Sequence, residues 1–183
     1  MNPQISFLTT LLLVVAIPLF AGASEMPKVG DPAPDFSLPS QEGTQVELGK
    51  LRGHWVVLYF YPKDMTPGCT VEAHNFAADQ AQYAARNAVV LGVSVDDVDS
   101  HKKFCTKENI NFKLLADTTK KVTQAYGSLS NYLVVKLASR NTFIIDPQGK
   151  IAKVFTDVKP ASHSREVLAA LDTLGKNEAA KQK

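Results

Sequence analysis

The sequence predicts an α/β fold in which helices cover both faces of one central mixed β-sheet. Two continuous apolar runs, HWVVLYFYP (54–62) and AVVLGVSVD (88–96), are typical of strands that are buried on both faces. The stretch between them is helical in pattern, and a strand, a helix and a strand at this spacing form a right-handed parallel crossover. A closing amphipathic stretch, SHSREVLAALDTLGK (162–176), supplies a further helix to cover the sheet. Together these observations indicate an α/β sandwich.

The other elements are expected from local alternation and from turn residues. In chain order they are a half-buried strand at TQVEL (44–48), a helix around SHKKFCTKEN (100–109), a short strand near FKLLAD (112–117), a helix at TTKKVTQAYG (118–127) and two strands in RNTFIIDPQGKIAKVF (140–155) around the turn at 146–149. Ser162 is the expected N-cap of the closing helix, and Gly175 is its expected C′ residue. The polar tail at 176–183 is expected to be frayed.

Composition places the chain among globular proteins of one domain. Its 183 residues carry 20 Lys and Arg against 18 Asp and Glu, and 45% of them are hydrophobic. A net charge of +2, with basic residues scattered along the chain, argues against a nucleic-acid partner. We therefore expect a single domain at 24–183, with a core large enough to be stable alone.

An uncharged apolar segment, ISFLTTLLLVVAIPLFAGA, occupies residues 5–23. Pro18 interrupts it, and its small-residue ending, AGA, resembles an A-x-A cleavage site. We expect residues 1–23 to be a signal peptide that is removed after Ala23, so that the mature protein is exported to the periplasm and is not bound to a membrane. The alternative is an uncleaved membrane anchor, since the run approaches spanning length and no Lys or Arg precedes it.

The stretch YPKDMTPGCTVEAHNF (61–76) places a cysteine in the first turn of a helix that follows the first buried strand. Thr66 is the expected N-cap, with Pro67 at N1 and Gly68 at N2, so Cys69 lies at N3. Unpaired backbone N–H groups and the helix dipole favour an ionised sulfur there by about 1–2 kcal/mol. Activation of a thiol requires more than this, so a nearby cation is expected as well. The alternative is a small buried hydrophobe, which the polar loop-to-helix junction disfavours.

The motif around this cysteine resembles that of a known family. PKDMTPGC (62–69) resembles the P-x-x-x-T-x-x-C signature of peroxiredoxins, and YPKDMTPGCTVEA is similar to the peroxiredoxin Q (bacterioferritin comigratory protein) subfamily. Further segments resemble the subfamily in the expected order: SHKKF (100–104), FKLLAD (112–117), AYG (125–127) and RNTFIIDPQGKI (140–151). The resemblance covers most of the mature chain and implies an AhpC/TSA-like, thioredoxin-like fold.

The resemblance also implies roles for individual residues. Cys69 would be the peroxidatic cysteine, whose thiolate attacks the peroxide and becomes a sulfenic acid. Thr66 would hydrogen-bond the thiolate and the peroxide oxygen, and Pro62 would shield the sulfur from water. Arg140 would supply the fixed positive charge that the local sequence lacks. Glu72 would either orient Arg140 or complement the helix N-terminus, and the sequence does not decide between these roles.

The second cysteine of the chain, Cys105, lies in the helix expected at 100–109. Many members of the subfamily carry a resolving cysteine five residues after the peroxidatic one, where this chain has His74, which we interpret as a half-exposed surface histidine. Another variant of the subfamily has its resolving cysteine in the later helix, which implies an intramolecular disulfide between Cys105 and Cys69. A disulfide needs Cα atoms within about 7 Å, so local unwinding is expected. Alternatively, Cys105 is a core thiol and an external thiol resolves the sulfenic acid.

The implied activity is that of a monomeric, exported thiol peroxidase, an atypical 2-Cys peroxiredoxin. It would reduce hydrogen peroxide and small organic hydroperoxides without a bound cofactor. Its electrons would come from thioredoxin or a thioredoxin-like protein, and its role would be antioxidant defence.

Other functions fit the residues less well. His101 and Cys105 lie four apart on one helix face, and with Cys69 or His74 they would offer ligands to zinc or copper, but no C-x-x-C motif accompanies them. A thiol–disulfide oxidoreductase would need a second cysteine at position 72, which is a glutamate. A binding module on the same fold would not need the complete peroxiredoxin motif.

Overall fold

The computed structural model of the protein describes residues 25–132 and 134–181. The described part contains nine strands: β1 (Ser37–Pro39), β2 (Gln45–Glu47), β3 (Trp55–Phe60), β4 (Ala88–Ser94), β5 (Lys113–Ala116), β6 (Leu129–Tyr132), β7 (Val135–Ala138), β8 (Thr142–Ile145) and β9 (Ile151–Phe155). The same part of the chain contains five α-helices and a short 3-10 helix at Leu48–Leu51: α1 (Pro67–Ala78), α2 (Gln80–Ala85), α3 (Val98–Glu108), α4 (Lys121–Ala125) and α5 (His163–Lys181).

Five strands form the central sheet in the order β5-β4-β3-β8-β9. β4 runs parallel to both β3 and β5, whereas β8 pairs antiparallel with both β3 and β9. All the residues of β3 are buried, because this strand lies at the centre of the sheet and is covered on both faces. Helices α1 and α2 connect β3 to β4, as the predicted parallel crossover requires. The prediction of a mixed sheet is confirmed.

Alternate side chains of β3 point into two separate apolar cores. Val57 and Tyr59 belong to a core that also contains residues of α1, α2, α3 and α5. Val56, Leu58 and Phe60 belong to a second core on the opposite face, which the extended N-terminal segment and side chains of α4 cover. Helices therefore lie on both faces of the sheet, as predicted.

A hairpin that the sequence did not predict precedes β8. Its strands β6 and β7 pair antiparallel, with Leu129 opposite Ala138. Its tip is apolar yet exposed, since Val134 is 97% exposed. The segment has neither a glycine-containing turn nor a clean alternation of apolar and polar residues, so it lacks the two signals by which hairpins are found in sequences.

The closing helix is longer than the sequence suggests. α5 begins directly after the expected N-cap, Ser162, and continues to Lys181, so the prediction that Gly175 is the C′ residue is wrong. Apart from its chain neighbours and the helix's own backbone, nothing lies within 4 Å of the position that a Cβ at Gly175 would occupy, and a glycine costs an exposed helix only about 1 kcal/mol. The residues that follow are mainly Ala, Glu and Lys, which are good helix formers, so the tail that we expected to fray is helical as far as Lys181.

The apolar segment at 5–23, and with it the expected signal peptide, lies outside the described residues. None of the helices in 25–132 and 134–181 combines the length and the hydropathy that spanning a bilayer requires. Cleavage after Ala23 therefore stays a prediction.

Candidate active site

Cys69 is the third residue of α1, where the chain turns from the end of β3 into the helix. Thr66 occupies the N-cap position with an extended backbone (φ −83°, ψ 148°), and Pro67 is the first helical residue, as predicted. The Thr66 hydroxyl does not cap the helix, however, because it donates to the Lys63 backbone oxygen at 3.0 Å. Cys69 is only 2% exposed, so its sulfur is shielded from bulk water beneath the start of the helix.

Arg140 brings the expected cation to this sulfur. Because β8 runs antiparallel to β3, the residues before β8 lie beside the residues after β3, close to the start of α1. One guanidinium nitrogen of Arg140, Nη2, lies 3.3 Å from Cys69 Sγ, and the other, Nη1, donates to Glu72 Oε2. Glu72 lies three residues after Cys69 on α1 and is 1% exposed. Its carboxylate is therefore placed to orient Arg140, which decides between the two roles that the sequence left open.

Burial and pairing shift the pKa values of both partners. Burial raises the pKa of Glu72 to about 7, although the charge of Arg140 acts to lower it. Burial acts to lower the pKa of Arg140, but the negative charges of Glu72 and Cys69 outweigh it and hold that pKa above its ordinary value. The guanidinium therefore stays charged and divides its donors between a carboxylate and a sulfur.

Tyr59 is a neighbour of the site that the sequence did not reveal. Its hydroxyl is buried and has no hydrogen-bond partner among the described residues. Burial raises the pKa of Tyr59 well above its ordinary value, and the negative charges of Glu72 and the two cysteines raise it further. The hydroxyl therefore stays neutral close to both sulfurs. A Cβ at Gly92 would lie only 2.8 Å from this hydroxyl, so Tyr59 packs closely against the backbone of β4 at that position. A glycine inside an apolar strand often marks such a close approach, and Gly92 was therefore the one sequence signal for the position of Tyr59.

Cys105 lies near the end of α3 and packs against the same apolar core as Cys69. Both thiols are free, and Cys105 is half-buried. Burial raises the pKa of Cys105 to about 12, and the charges of Asp64 and Glu42 act in the same direction. Cys105 is therefore a neutral thiol at neutral pH, whereas Cys69 has a guanidinium beside it.

Pro62 and His74 complete the predicted set of residues. Pro62 is half-buried in the loop between β3 and α1. The side chain of His74 is 50% exposed, and its Nε2 lies 3.1 Å from Glu108 Oε2 on α3. The interpretation of His74 as a half-exposed surface histidine is confirmed.

A buried polar cluster joins the loop before α1 to α3. Asp64 accepts hydrogen bonds from the hydroxyls of Tyr61 and Ser100, both at 2.7 Å, and His101 Nδ1 lies 2.8 Å from the same carboxylate. Sequence reasoning noticed only the spacing of His101 from Cys105 and missed Asp64 altogether. Within the described ranges, no three His, Cys, Asp or Glu side chains form a group that could hold a metal ion.

The sequence matches one protein family along most of its length. A model of the AhpC/TSA family matches residues 29–154. Peroxiredoxin Bcp of Bacillus subtilis is 38% identical over 151 residues, which cover 79% of this chain and 94% of the relative. The chain is a peroxiredoxin of the AhpC/TSA family.

Solved structures place this peroxiredoxin in the peroxiredoxin Q and Bcp group and confirm its thioredoxin-like fold. Peroxiredoxin Q of Xanthomonas campestris matches with a TM-score of 0.72 at 38% identity, over 75% of this chain and 90% of that one. Peroxidoxin BcpB of Mycobacterium tuberculosis matches with a TM-score of 0.75 at 35% identity, over 80% and 97% of the two chains. The peroxiredoxin is accordingly a thiol-dependent peroxidase, which acts on hydroperoxides and draws its electrons from a thiol reductant.

Proposed function

We propose that this peroxiredoxin reduces hydrogen peroxide and small organic hydroperoxides through a sulfenic acid on Cys69. The observation that supports this most directly is the position of Arg140 Nη2, 3.3 Å from Cys69 Sγ at the start of α1. The guanidinium, the helix dipole and the unpaired backbone N–H groups all favour a thiolate at that position. The thiolate attacks one peroxide oxygen, the O–O bond breaks, Cys69 becomes a sulfenic acid and water or an alcohol leaves.

We assign distinct parts in this step to four side chains of the site. Arg140 holds the thiolate and polarises the peroxide, and Glu72 fixes the direction of the guanidinium. The Thr66 hydroxyl donates a hydrogen bond to the Lys63 backbone oxygen, so its own oxygen is available to accept one from the peroxide. Pro62 limits the access of water to the sulfur from the loop side.

Cys105 then resolves the sulfenic acid by forming an intramolecular disulfide with Cys69. Both cysteines pack against one core, which limits the distance that the two chain segments must move. The movement is local unwinding, since a disulfide needs its Cα atoms within about 7 Å. Thioredoxin or a thioredoxin-like protein reduces the disulfide, and the enzyme works as a monomer without a bound cofactor in antioxidant defence.

Treatment of the reduced protein with one equivalent of hydrogen peroxide is expected to join Cys69 and Cys105. Peptide mass mapping should find the two cysteine peptides linked, with the loss of two hydrogens. The matched variant, Cys105→Ser, should instead accumulate sulfenic acid on Cys69, because nothing in the chain remains to resolve it, and sulfinic acid with excess peroxide. A wild-type map in which peroxide has been consumed and Cys105 is still a free thiol would contradict the resolving role.

We also propose that residues 1–23 are removed after Ala23 and that the enzyme acts in the periplasm. The uncharged run at 5–23 and its small-residue ending support this. N-terminal sequencing of protein from a periplasmic extract is expected to begin at Ser24. Recovery of a membrane-bound protein that still begins at Met1 would favour the uncleaved anchor. In the periplasm the reductant would be a thioredoxin-like protein of that compartment.

A further inference from the structure

His101 is a buried histidine that has no role in the reaction of Cys69 with peroxide. It lies on α3 one turn before Cys105 and is 0% exposed. Its Nδ1 contacts Asp64, but its Nε2 is buried and has no hydrogen-bond partner among the described residues. Burial of an unpaired polar nitrogen destabilises the fold, so the position of His101 in the core needs an explanation.

The hydrogen bonds of Asp64 decide which ring nitrogen of His101 carries the proton. Burial acts to raise the pKa of Asp64, but hydrogen bonds from His101, Ser100 and Tyr61 outweigh it and hold that pKa below its ordinary value. An ionised carboxylate only accepts hydrogen bonds, so Nδ1 is the protonated nitrogen. In the neutral imidazole the basic lone pair is therefore on the unpartnered Nε2.

Cys105 lies one turn after His101 on α3. Residues four apart lie on one face of a helix, with Cβ atoms about 5–6 Å apart. Side chains in helices lean toward the N-terminus, so the Cys105 side chain leans over the turn that contains His101. Cys105 also needs a base, because burial raises the pKa of its thiol to about 12 and leaves roughly one thiol in 10⁵ ionised at neutral pH.

The two ends of α3 are held differently. Its first turn is fixed by the Asp97 side chain, which caps Ser100 N–H, and by the contacts of Ser100 and His101 with Asp64. Its last turn contains Cys105 and ends at Asn109, whose backbone is left-handed, and Glu108 in that turn contacts the half-exposed His74 of α1. Local unwinding of the last turn would therefore release Cys105 while His101 stays in place.

We propose that His101 is the general base that activates Cys105 in the resolving step, with Asp64 as the residue that positions it. This rests on the proposed function, in which Cys105 attacks the sulfenic acid of Cys69. Nε2 takes the proton from the Cys105 thiol as the side chain turns toward it, and Asp64 balances the charge of the imidazolium. The Cys105 thiolate attacks the Cys69 sulfur, the S–S bond forms, and the S–O bond breaks. The departing hydroxide takes the proton from Nε2 and leaves as water.

Replacement of His101 with asparagine tests the proposal, since an amide nitrogen can donate to Asp64 in place of Nδ1 but supplies no base. In a rapid-quench single turnover, we expect peroxide to be consumed at the wild-type rate. Formation of the 69–105 disulfide should slow by about 100-fold or more at neutral pH, which is within the range of general-base catalysis. Mass mapping, with the sulfenic acid trapped by dimedone, follows both steps in one sample.

The pH profile separates a base from a merely structural residue. Among the described residues, Asp64 and Tyr61 from the loop before α1 contact His101, Asp96 from the loop before α3 contacts the Asp64 backbone, and Asp64 and Glu42 act on Cys105 one turn later. Without a base, the disulfide should form about tenfold faster for each unit of pH, as more of the thiol ionises. The variant and wild-type rates should therefore converge at high pH, which a general loosening of α3 would not produce.

The controls make each outcome decisive. His54→Asn, which changes an exposed histidine that contacts Asn87 and directly precedes β3, at the end of the strand away from Cys69, should leave both steps and the pH profile unchanged. Asp64→Asn removes the charge that balances the imidazolium and should slow disulfide formation in the same direction, so it tests the proposal even if His101→Asn folds poorly. Disulfide formation at the wild-type rate in the folded variants, or equal slowing of both steps, would overturn the role of His101. Failure of the wild type itself to form the disulfide would instead overturn the proposed function.

Discussion

Replacement of Cys69 with serine is expected to abolish peroxide consumption, with a loss of about 10⁴-fold or more in the initial rate. The serine oxygen would occupy nearly the same place beside Arg140 and the start of α1. A hydroxyl does not ionise there at neutral pH, however, and attack on an O–O bond needs an anion. The rate of hydrogen peroxide loss, measured with excess thiol reductant, gives the result directly.

Cys105→Ser is the matched control for this experiment, because it also replaces a thiol that packs against the same core. It should still consume one equivalent of peroxide in a single turnover, since Cys69 is intact. Thermal unfolding of the two variants shows whether both remain folded. Continued peroxide consumption by folded Cys69→Ser would mean that another group is the nucleophile.

The central strands and the start of α1, which depend on local sequence, were predicted well. β3 and β4 lie in the centre of the sheet, and burial on both faces requires the continuous apolar runs that the sequence shows at 54–62 and 88–96. The start of α1 was predicted to the residue, because Pro67 is favoured at N1 and Thr66 is favoured at the N-cap position before it. The predicted position of Cys69 at N3 is confirmed for the same reason.

Features that depend on contacts between distant residues were not predictable in this way. Glu72 and Arg140 are 68 positions apart, and only the antiparallel pairing of β8 with β3 brings the arginine to α1. The buried face of α1 contains Glu72 between Cys69 and Phe76, so no apolar pattern indicates that this carboxylate is inside. Asp64 and His101 are likewise brought together only when α3 packs beside the loop.

Replacement of Arg140 with glutamine is expected to slow oxidation of Cys69 by about 10²–10³-fold, the loss typical of removing one donor from a reacting anion. The amide carries no charge and cannot contact both the sulfur and Glu72 as the guanidinium does. Stopped-flow mixing with peroxide measures the first step without interference from reduction. Arg86→Gln is the control, because Arg86 forms a surface pair with Asp172. This substitution should leave the oxidation rate unchanged and should lower the free energy of unfolding by no more than about 1 kcal/mol.

The same substitution should destabilise the fold in a pH-dependent way, because it leaves the Glu72 carboxylate buried without its partner. Arg140 acts to lower the pKa of Glu72, which is about 7 in the wild type, so that pKa rises in the variant. A carboxyl with a higher pKa in the folded than in the unfolded state loses stability as the pH rises through its folded pKa. In the wild type this loss of stability is complete near pH 7, whereas in the variant the loss continues above pH 7. The free energies of unfolding of the wild type and the variant should therefore differ increasingly above pH 7, and the difference should approach about 3 kcal/mol.

Urea unfolding between about pH 5 and pH 9 measures this separation. The double variant Arg140→Gln/Glu72→Gln carries no buried carboxylate at this position, so its stability should regain the wild-type dependence on pH at alkaline values while its reaction with peroxide stays slow. Stability and reactivity depend on the guanidinium through different partners, Glu72 for the fold and Cys69 for the chemistry. A double variant that recovered both would show that Arg140 serves only to neutralise the carboxylate, and the thiolate would then depend on the start of α1 alone.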